Sequence, residues 1–298
     1  MKILDETAVR GLLEMKDLIP AMASALADLS SKKAVQPVRL ALPVRDHGGF
    51  MGVMPAYNGA LGAKIVTFYP GNKGIHTHNG LILLFRPETG EPIAVMDGRL
   101  ITEMRTAAVS AVATDRLARP DVAILAILGS GVQAHSHLEA LSLVRKFSEV
   151  RVWSPRSAKA FADSHGVTAT ATAQEAVRDA DVVVVATSSM TPVLSGSWLS
   201  PGTHINAVGA NNPKWREMDD EVMTMSKLFV DSREAALVES GDVLAGGHIF
   251  AEIGEVVAGT RPGRESESEI TLFKSLGQAV EDIAAADIVY KKAIASEV

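Results

Sequence analysis

A glycine-rich turn between an apolar run and a helical pattern constrains the fold of this chain more than any other feature. Residues 122–128 form a continuous apolar run, which is typical of a strand buried on both faces of a parallel sheet. The next six residues, 129–134, read GSGVQA and fit the spacing G-x-G-x-x-A. In that spacing the glycines permit a tight turn and a close approach to a pyrophosphate, and the small last residue lets helix and strand pack together. The pattern predicts a dinucleotide-binding turn, although a plain strand–turn–helix corner is an alternative.

Strand and helix patterns alternate after this turn and predict a Rossmann-type domain. Apolar runs recur between helical segments, which implies βαβ units in a doubly wound parallel sheet. The runs are 150–153, 181–186, 204–208 and 228–230. Residues 114–275 are therefore assigned to an NAD(P)-binding domain of the α/β class.

The remainder of the chain predicts an α+β domain. Helical patterns in the first 30 residues precede short apolar runs between 37 and 97, and Gly, Pro and Asn separate those runs as in an antiparallel sheet. A long alanine-rich helix follows at 100–117, and an amphipathic helix at 276–295 is expected to pack back on the N-terminal part. This second domain consists of 1–113 and 276–298.

Charge and composition restrict the partners of the chain. The net charge of −6 argues against a general binder of nucleic acid or anionic membranes. The chain has no cysteine, which excludes disulfides and a thiolate nucleophile. His76 and His78 lack a third ligand at a recognisable spacing, so we predict no metal site. No secretory signal or long apolar span is recognised, and we expect a cytoplasmic protein.

The residues after the second Rossmann strand favour NADPH over NADH. An acidic side chain at this position would bind the 2′-hydroxyl of NAD, but residues 154–157 read SPRS. Ser154, Arg156 and Ser157 could instead hold a 2′-phosphate, since a guanidinium suits that dianion. A solvated Arg156 at a helix start is the alternative.

Short sequence blocks over most of the chain match one known family. They are QPVR at 36–39, GVMPAY at 52–57, KIVTFY at 64–69, AVMDG at 94–98, RTAAVSA at 105–111, HINAVGA at 204–210 and FKSLG at 273–277. In these blocks and their order the chain resembles the ornithine cyclodeaminase and mu-crystallin family, and within it the mu-crystallin branch of ketimine reductases. The resemblance implies a homodimer with a substrate-binding and dimerisation domain, a Rossmann domain, and substrates that are amino acids or their imines.

The resemblance also implies the site residues. Arg39, Lys64 and Arg105 match the basic residues that hold the substrate carboxylate, and a guanidinium binds a carboxylate in a bidentate fork. Two neighbouring cations should lower the pKa of Lys64, which could then give a proton to the imine nitrogen. The substrate pocket is assigned to Met54, Phe68, His78 and Asn211, with a polar loop position as the alternative for His78. The cofactor site is assigned to Arg105, Thr106, Gly129, Ser130, Gly131, Val132, Gln133, Ser154, Arg156, Ser157, Thr187, Val208 and Gly209.

Two positions depart from the cyclodeaminase pattern. Asn211 and Gly52 lie at positions where the cyclodeaminases, which this chain otherwise resembles, carry Asp and Glu. Neither Asn nor Gly can act as a base. We therefore predict an NADPH-dependent ketimine reductase acting on a small cyclic or open 2-imino carboxylate, such as Δ1-pyrroline-2-carboxylate or Δ1-piperideine-2-carboxylate. The alternatives are an ornithine cyclodeaminase-type lyase, an amino-acid dehydrogenase, and a crystallin-like protein that binds NADPH and a small ligand without turnover.

Two minor features complete the sequence predictions. His135 and His137 follow the phosphate-binding turn and are expected on the helix surface. Residues 239–242 read ESGD, and we expect a polar loop without a catalytic role there.

Overall fold

The structure is a computed structural model, and it describes residues 1–296. The chain divides into two compact units, one formed by Met1–Arg105 with the segment that starts at Gly277, the other by Thr106–Leu276. The first division falls inside the long helix, at residue 105, whereas the sequence predicts it at 113. Within the described residues, no helix has both the length and the apolar character that crossing a membrane requires.

The strands and helices are numbered along the chain. The strands are β1 (Lys2–Leu4), β2 (Leu40–Val44), β3 (Gly49–Tyr57), β4 (Leu61–Phe68), β5 (His78–Phe85), β6 (Pro92–Asp97), β7 (Ile124–Leu128), β8 (Glu149–Trp153), β9 (Thr168–Ala169), β10 (Val182–Val185), β11 (His204–Ala207), β12 (Ser226–Val230), β13 (Ile249–Glu252) and β14 (Ile270–Lys274). The helices are α1 (Glu6–Leu12), α2 (Met15–Ser30), α3 (Arg99–Leu117), α4 (Val132–Val144), α5 (Ala158–His165), α6 (Ala173–Val177), α7 (Asp220–Met225), α8 (Arg233–Glu239), α9 (Gly241–Leu244), α10 (Ile253–Val257) and α11 (Ala279–Ala295). Short 3₁₀ turns lie at Arg45–His47 and Gly196–Trp198.

The first unit is built on a six-stranded sheet in the order β1-β6-β5-β4-β3-β2. Strands β2 to β6 pair antiparallel, as the turn-rich sequence predicts, and only β1 pairs parallel to its neighbour. Side chains alternate between the faces of a strand, so one face holds the buried Met54, Lys64, Ile82 and Met96. Helix α11 packs against α2 and strands β3, β4 and β5, which confirms its expected return to the N-terminal part of the chain.

The second unit is built on an eight-stranded, wholly parallel sheet in the order β13-β12-β14-β11-β10-β7-β8-β9. The chain runs outward from β7 to β9 and then returns to place β10 on the other side of β7. This reversal of order is the switch point at which Rossmann folds bind dinucleotides, beyond the carboxyl ends of the strands. Val182–Val185 is completely buried, as a strand covered on both faces should be. The predicted fold class is confirmed.

Two local predictions in this unit are wrong. His135 is exposed as expected, but His137 is completely buried, because it lies on the face of α4 that turns inward. Residues 239–242 do not form a loop: they end α8 and begin α9, and Asp242 is completely buried. The sequence of a short polar stretch suggests a loop when its charged residue pairs with a residue far away in the chain, as Asp242 does with Lys274.

Candidate active site

The glycine turn lies at the switch point of the parallel sheet. Gly129 directly follows β7 and has a φ of +114°, a backbone conformation that favours glycine. A Cβ atom at this position would lie 2.3 Å from the carbonyl oxygen of Ala186, beyond the end of β10. Helix α4 begins directly after Gly131, so its first N–H groups and its positive end face the turn. The predicted residues Val132 and Gln133 form the first turn of that helix.

Three hydroxyl groups meet where β8 ends. The Oγ of Ser130 donates a hydrogen bond to the Oγ of Ser154 at 2.8 Å and lies 2.7 Å from the Oγ of Ser157. The backbone N–H of Ser157 donates to Ser154 Oγ at 3.1 Å. Arg156, between the two serines, is exposed. The three serines, predicted from separate segments of the sequence, therefore form one polar patch beside the glycine turn, and Arg156 is adjacent to it in sequence.

Glu217 connects the loops that follow β10 and β11, and sequence reasoning missed it. Its carboxylate accepts hydrogen bonds from the backbone N–H of Thr187 at 3.0 Å, the hydroxyl of Thr187 at 2.6 Å and the N–H of Ala210 at 2.8 Å. Gly209 packs so closely that a Cβ atom there would lie 2.3 Å from a Glu217 carboxylate oxygen. The predicted residues Thr187, Val208 and Gly209 thus lie in loops held by one buried carboxylate.

A buried ion pair contacts the backbone of Glu217. Lys274 Nζ lies 3.1 Å from Asp242 Oδ2, and both side chains are completely buried. Asp242 Oδ1 accepts hydrogen bonds from the N–H groups of Glu217 and Met218 at 3.0 and 3.1 Å. Burial raises the pKa of Glu217, whereas Lys274 and the bonds from Thr187 act in the opposite direction. The arrangement fixes the backbone at the carboxyl ends of the central strands.

In the first unit, two of the three predicted cations share a carboxylate. Lys64 on β4 and Arg105 on α3 are only 2% and 4% exposed. Lys64 Nζ lies 2.6 Å from Asp282 Oδ2, and Arg105 Nε donates to Asp282 Oδ1 at 2.9 Å. Arg105 Nη1 also donates to Glu281 at 2.8 Å. The two acids, on α11, were not predicted; their signal is an acidic pair among the apolar residues of the first two turns of that helix.

Arg39, the third predicted cation, contacts a backbone carbonyl in the segment that leads into α11. It precedes β2, is half-buried, and its Nη2 donates to the carbonyl of Gly277 at 2.9 Å. Burial, with smaller effects of Arg105 and Arg39, lowers the pKa of Lys64 to about 8, and Asp282 opposes that change. The expected direction is correct, but desolvation rather than the neighbouring cations is the main cause. Burial alone would raise the pKa of Asp282, yet Arg105 and Lys64 hold it below its ordinary value.

The predicted pocket residues of the first unit share the face of Lys64. Met54 is the cross-strand partner of Lys64, and Phe68 is the partner of His78. The rings of Phe68 and His78 have centroids 4.4 Å apart. Asn211 belongs to the second unit, where it is exposed in the loop after β11. Among residues 1–296 no three His, Asp or Glu side chains group closely enough to hold a metal ion.

The first unit thus offers a buried lysine on one face of its sheet and a buried arginine on α3, which is a setting for a small carboxylate and for proton transfer. The second unit offers a glycine turn, a helix N-terminus and a hydroxyl patch, which fit the phosphates and ribose of a dinucleotide. Thr106, also predicted near the cofactor, is buried in α3 directly after Arg105.

Comparisons with known proteins identify the family of the chain and several relatives. The sequence model of the ornithine cyclodeaminase/mu-crystallin family matches residues 1–297. The chain is 51% identical to the ketimine reductase mu-crystallin of Rattus norvegicus over 286 residues, which cover 92% of this chain and 91% of that protein. It is 41% identical to a Δ1-pyrroline-2-carboxylate reductase of Thermococcus litoralis, solved with NADH and L-proline, with a TM-score of 0.95 and coverage of 100% and 99%. An archaeal alanine dehydrogenase, solved as a dimer with bound NAD, is 37% identical, with a TM-score of 0.95 and coverage of 100% and 97%.

Proposed function

Because the chain belongs to the ornithine cyclodeaminase/mu-crystallin family, we propose that it is an NADPH-dependent imine reductase. Its substrate is a small cyclic or open 2-imino carboxylate, with Δ1-pyrroline-2-carboxylate and Δ1-piperideine-2-carboxylate as the first candidates. The relatives named as ketimine and pyrroline-2-carboxylate reductases support the reaction class. The observation that carries the proposal in this chain is Lys64, a buried lysine whose pKa of about 8 suits a proton donor at neutral pH.

The residues of the first unit bind the substrate and supply the proton. Arg39 and Arg105 hold the carboxylate of the imine, and the apolar Met54 and Phe68 receive its hydrocarbon part. When bound, the reduced dinucleotide supplies the hydride that reaches the C=N carbon. The ammonium of Lys64 gives its proton to the imine nitrogen, so the C=N double bond becomes a C–N single bond and the product is an amino acid. Lys64 then takes a proton from solvent.

The first experiment follows NADPH oxidation by the purified protein with both cyclic imines. We expect turnover that falls by a factor of roughly 10² to 10⁴ in Lys64→Met, because a positioned general acid contributes about that much to the rate. Lys73→Met is the matched control, since Lys73 is an exposed lysine of the same unit. No oxidation of NADPH or NADH with either imine would contradict the proposed substrate.

The preference for NADPH is supported by the hydroxyl patch after β8. Ser130, Ser154 and Ser157 present hydroxyls, Arg156 adds an exposed cation, and no acid is present there to repel a 2′-phosphate. Arg156→Ala should lower kcat/KM for NADPH by roughly tenfold and leave that for NADH nearly unchanged, because a charge-assisted hydrogen bond is worth about 1.5–3 kcal/mol. Equal losses with both cofactors would contradict the assignment. Ser154→Asp should shift the preference toward NADH, since its carboxylate repels the 2′-phosphate.

A homodimer is supported by the second face of the antiparallel sheet. On this face Ile3, Leu40, Leu42 and Leu81 are each more than half exposed. A monomer rarely exposes such a continuous apolar face, and a second copy of the chain would cover it. We expect Leu42→Arg to shift the mass measured by light scattering from dimer to monomer, whereas Leu237→Arg, an equally exposed leucine of the other unit, should not.

Amino-acid dehydrogenation is the second candidate, favoured by the similarity to the archaeal alanine dehydrogenase. It predicts efficient oxidation of L-alanine with NAD⁺ or NADP⁺ and weak reduction of the cyclic imines, so one pair of assays separates the two. A cyclodeaminase-type lyase is disfavoured, because the amide of Asn211 cannot accept a proton as a base at neutral pH.

A further inference from the structure

Asp282 occupies an unusual position for a carboxylate. It is completely buried on α11, where it contacts Lys64 through Oδ2 and Arg105 through Oδ1. Both partners belong to the group of cations that we assign to the substrate. A carboxylate without partners at such a depth is strongly unfavourable, so these contacts must form whenever the unit folds.

We infer that Asp282 is a positioning residue of the reaction, which keeps Lys64 protonated and fixed as the proton donor while it orients Arg105 toward the substrate carboxylate. This inference rests on the proposed imine reduction. Asp282 itself does not give up a proton: its two oxygens are engaged with two cations, and they hold its pKa below the ordinary range. The proton travels from Lys64 to the imine nitrogen, and Asp282 remains a carboxylate throughout.

The charges around Lys64 explain why a carboxylate is needed. Arg105 and Arg39 both favour the neutral amine, as does burial, whereas Asp282 favours the ammonium. His78, on the neighbouring strand, is close enough for Lys64 to affect its titration. With Asp282 replaced by a neutral residue, a buried amine beside two guanidinium groups would lose its proton at a lower pH. Lys64 could then no longer act as an acid.

Glu281 offers a matched comparison within the same helix. It is also completely buried and also binds Arg105, through Nη1 at 2.8 Å, whereas Asp282 is the acid that lies 2.6 Å from the Lys64 ammonium. Glu281→Gln and Asp282→Asn remove the same charge from neighbouring positions. Only the second removes the contact to the proposed proton donor.

The experiment is the pH dependence of kcat for imine reduction from pH 5 to 10. In the unmodified enzyme, activity should decline at alkaline pH as Lys64 loses its proton. In Asp282→Asn this decline should begin at least about one pH unit lower, because the loss of an adjacent charge shifts a pKa by roughly 1–3 units. Glu281→Gln should raise KM for the imine through Arg105 and leave the position of the decline unchanged. An unchanged decline in Asp282→Asn, or equal shifts in both variants, would overturn the inference.

A second measurement separates this inference from the proposed reaction. The Nζ of Lys64 is followed by ¹⁵N NMR in lysine-labelled protein and assigned with Lys64→Met. If no imine is turned over but the Lys64 titration moves to lower pH in Asp282→Asn, the reaction fails and the pairing stands. If imines are turned over and neither the kinetic decline nor the titration moves, the role of Asp282 fails. Should Asp282→Asn not fold, Asp282→Glu decides: its longer side chain cannot keep both contacts, so an unchanged kcat and titration would overturn the inference.

Discussion

Acid should destabilise the second unit through His137. The ring is completely buried between α4 and α3, where Nδ1 lies 2.7 Å from the carbonyl oxygen of Gln133 and Nε2 lies 2.9 Å from the hydroxyl of Ser110. A neutral ring satisfies both contacts, because Nδ1 can donate while Nε2 accepts. Burial lowers the pKa of His137 from 6.5 to about 4.

The sign and size of the effect follow from proton binding. The unfolded chain protonates this histidine near pH 6.5, whereas the folded chain does so only near pH 4. The contribution of His137 to stability is therefore complete above pH 6.5 and is lost as the pH falls toward 4. At about 1.4 kcal/mol per pKa unit, the loss over this window amounts to roughly 3 kcal/mol. His204, whose pKa burial lowers to about 3, adds a loss of the same sign.

Tryptophan fluorescence can isolate this unit, because all three tryptophans, Trp153, Trp198 and Trp215, lie within it. Urea unfolding is measured between pH 7.5 and 4.5 for the unmodified protein and for His137→Gln. The variant should be less stable at pH 7.5, but its free energy of unfolding should fall less on acidification, by roughly 3 kcal/mol over the range.

His76→Gln serves as the control, since His76 is exposed and lies in the other unit. It should follow the unmodified protein at every pH. Parallel curves for His137→Gln and the unmodified protein would refute the reasoning, because they would mean that the buried ring binds its proton equally well in both states.

Two further predictions concern the dinucleotide site. Gly129→Ala should weaken NADPH binding by more than about tenfold in a fluorescence titration, because the new methyl group meets a backbone carbonyl in a left-handed conformation. Gly71→Ala is the control and should bind normally, because the space around Gly71 is open. Normal binding by both variants would contradict the role of the turn. Glu217→Gln should lower the stability of the second unit by about 1–3 kcal/mol and weaken NADPH binding, because the amide of the new glutamine cannot accept all the hydrogen bonds from Thr187 and Ala210. Glu234→Gln, at an exposed position, is the control. Equal effects of the two substitutions would argue against the bridging role of Glu217.

Much of the second unit is determined by local sequence. The apolar strands, the glycine turn and the small residue that follows it act within a few residues of one another, so their pattern alone predicts a parallel sheet with a dinucleotide site at its switch point. The turn-rich first part of the chain likewise indicates its antiparallel sheet. Spacing on a strand also places Met54 and Lys64 side by side once the register of β3 and β4 is known.

Only the tertiary structure decides which charges meet. Arg105 and Asp282 are 177 residues apart, and nothing in the local pattern of either helix indicates that one neutralises the other. The same holds for Lys274 with Asp242, and for His137, whose ring is buried against Ser110 of a separate helix. Burial of a charge or an imidazole becomes possible only when a distant segment supplies the partner. The sequence therefore determines which residues can carry the chemistry, whereas long-range packing decides the protonation state in which they carry it.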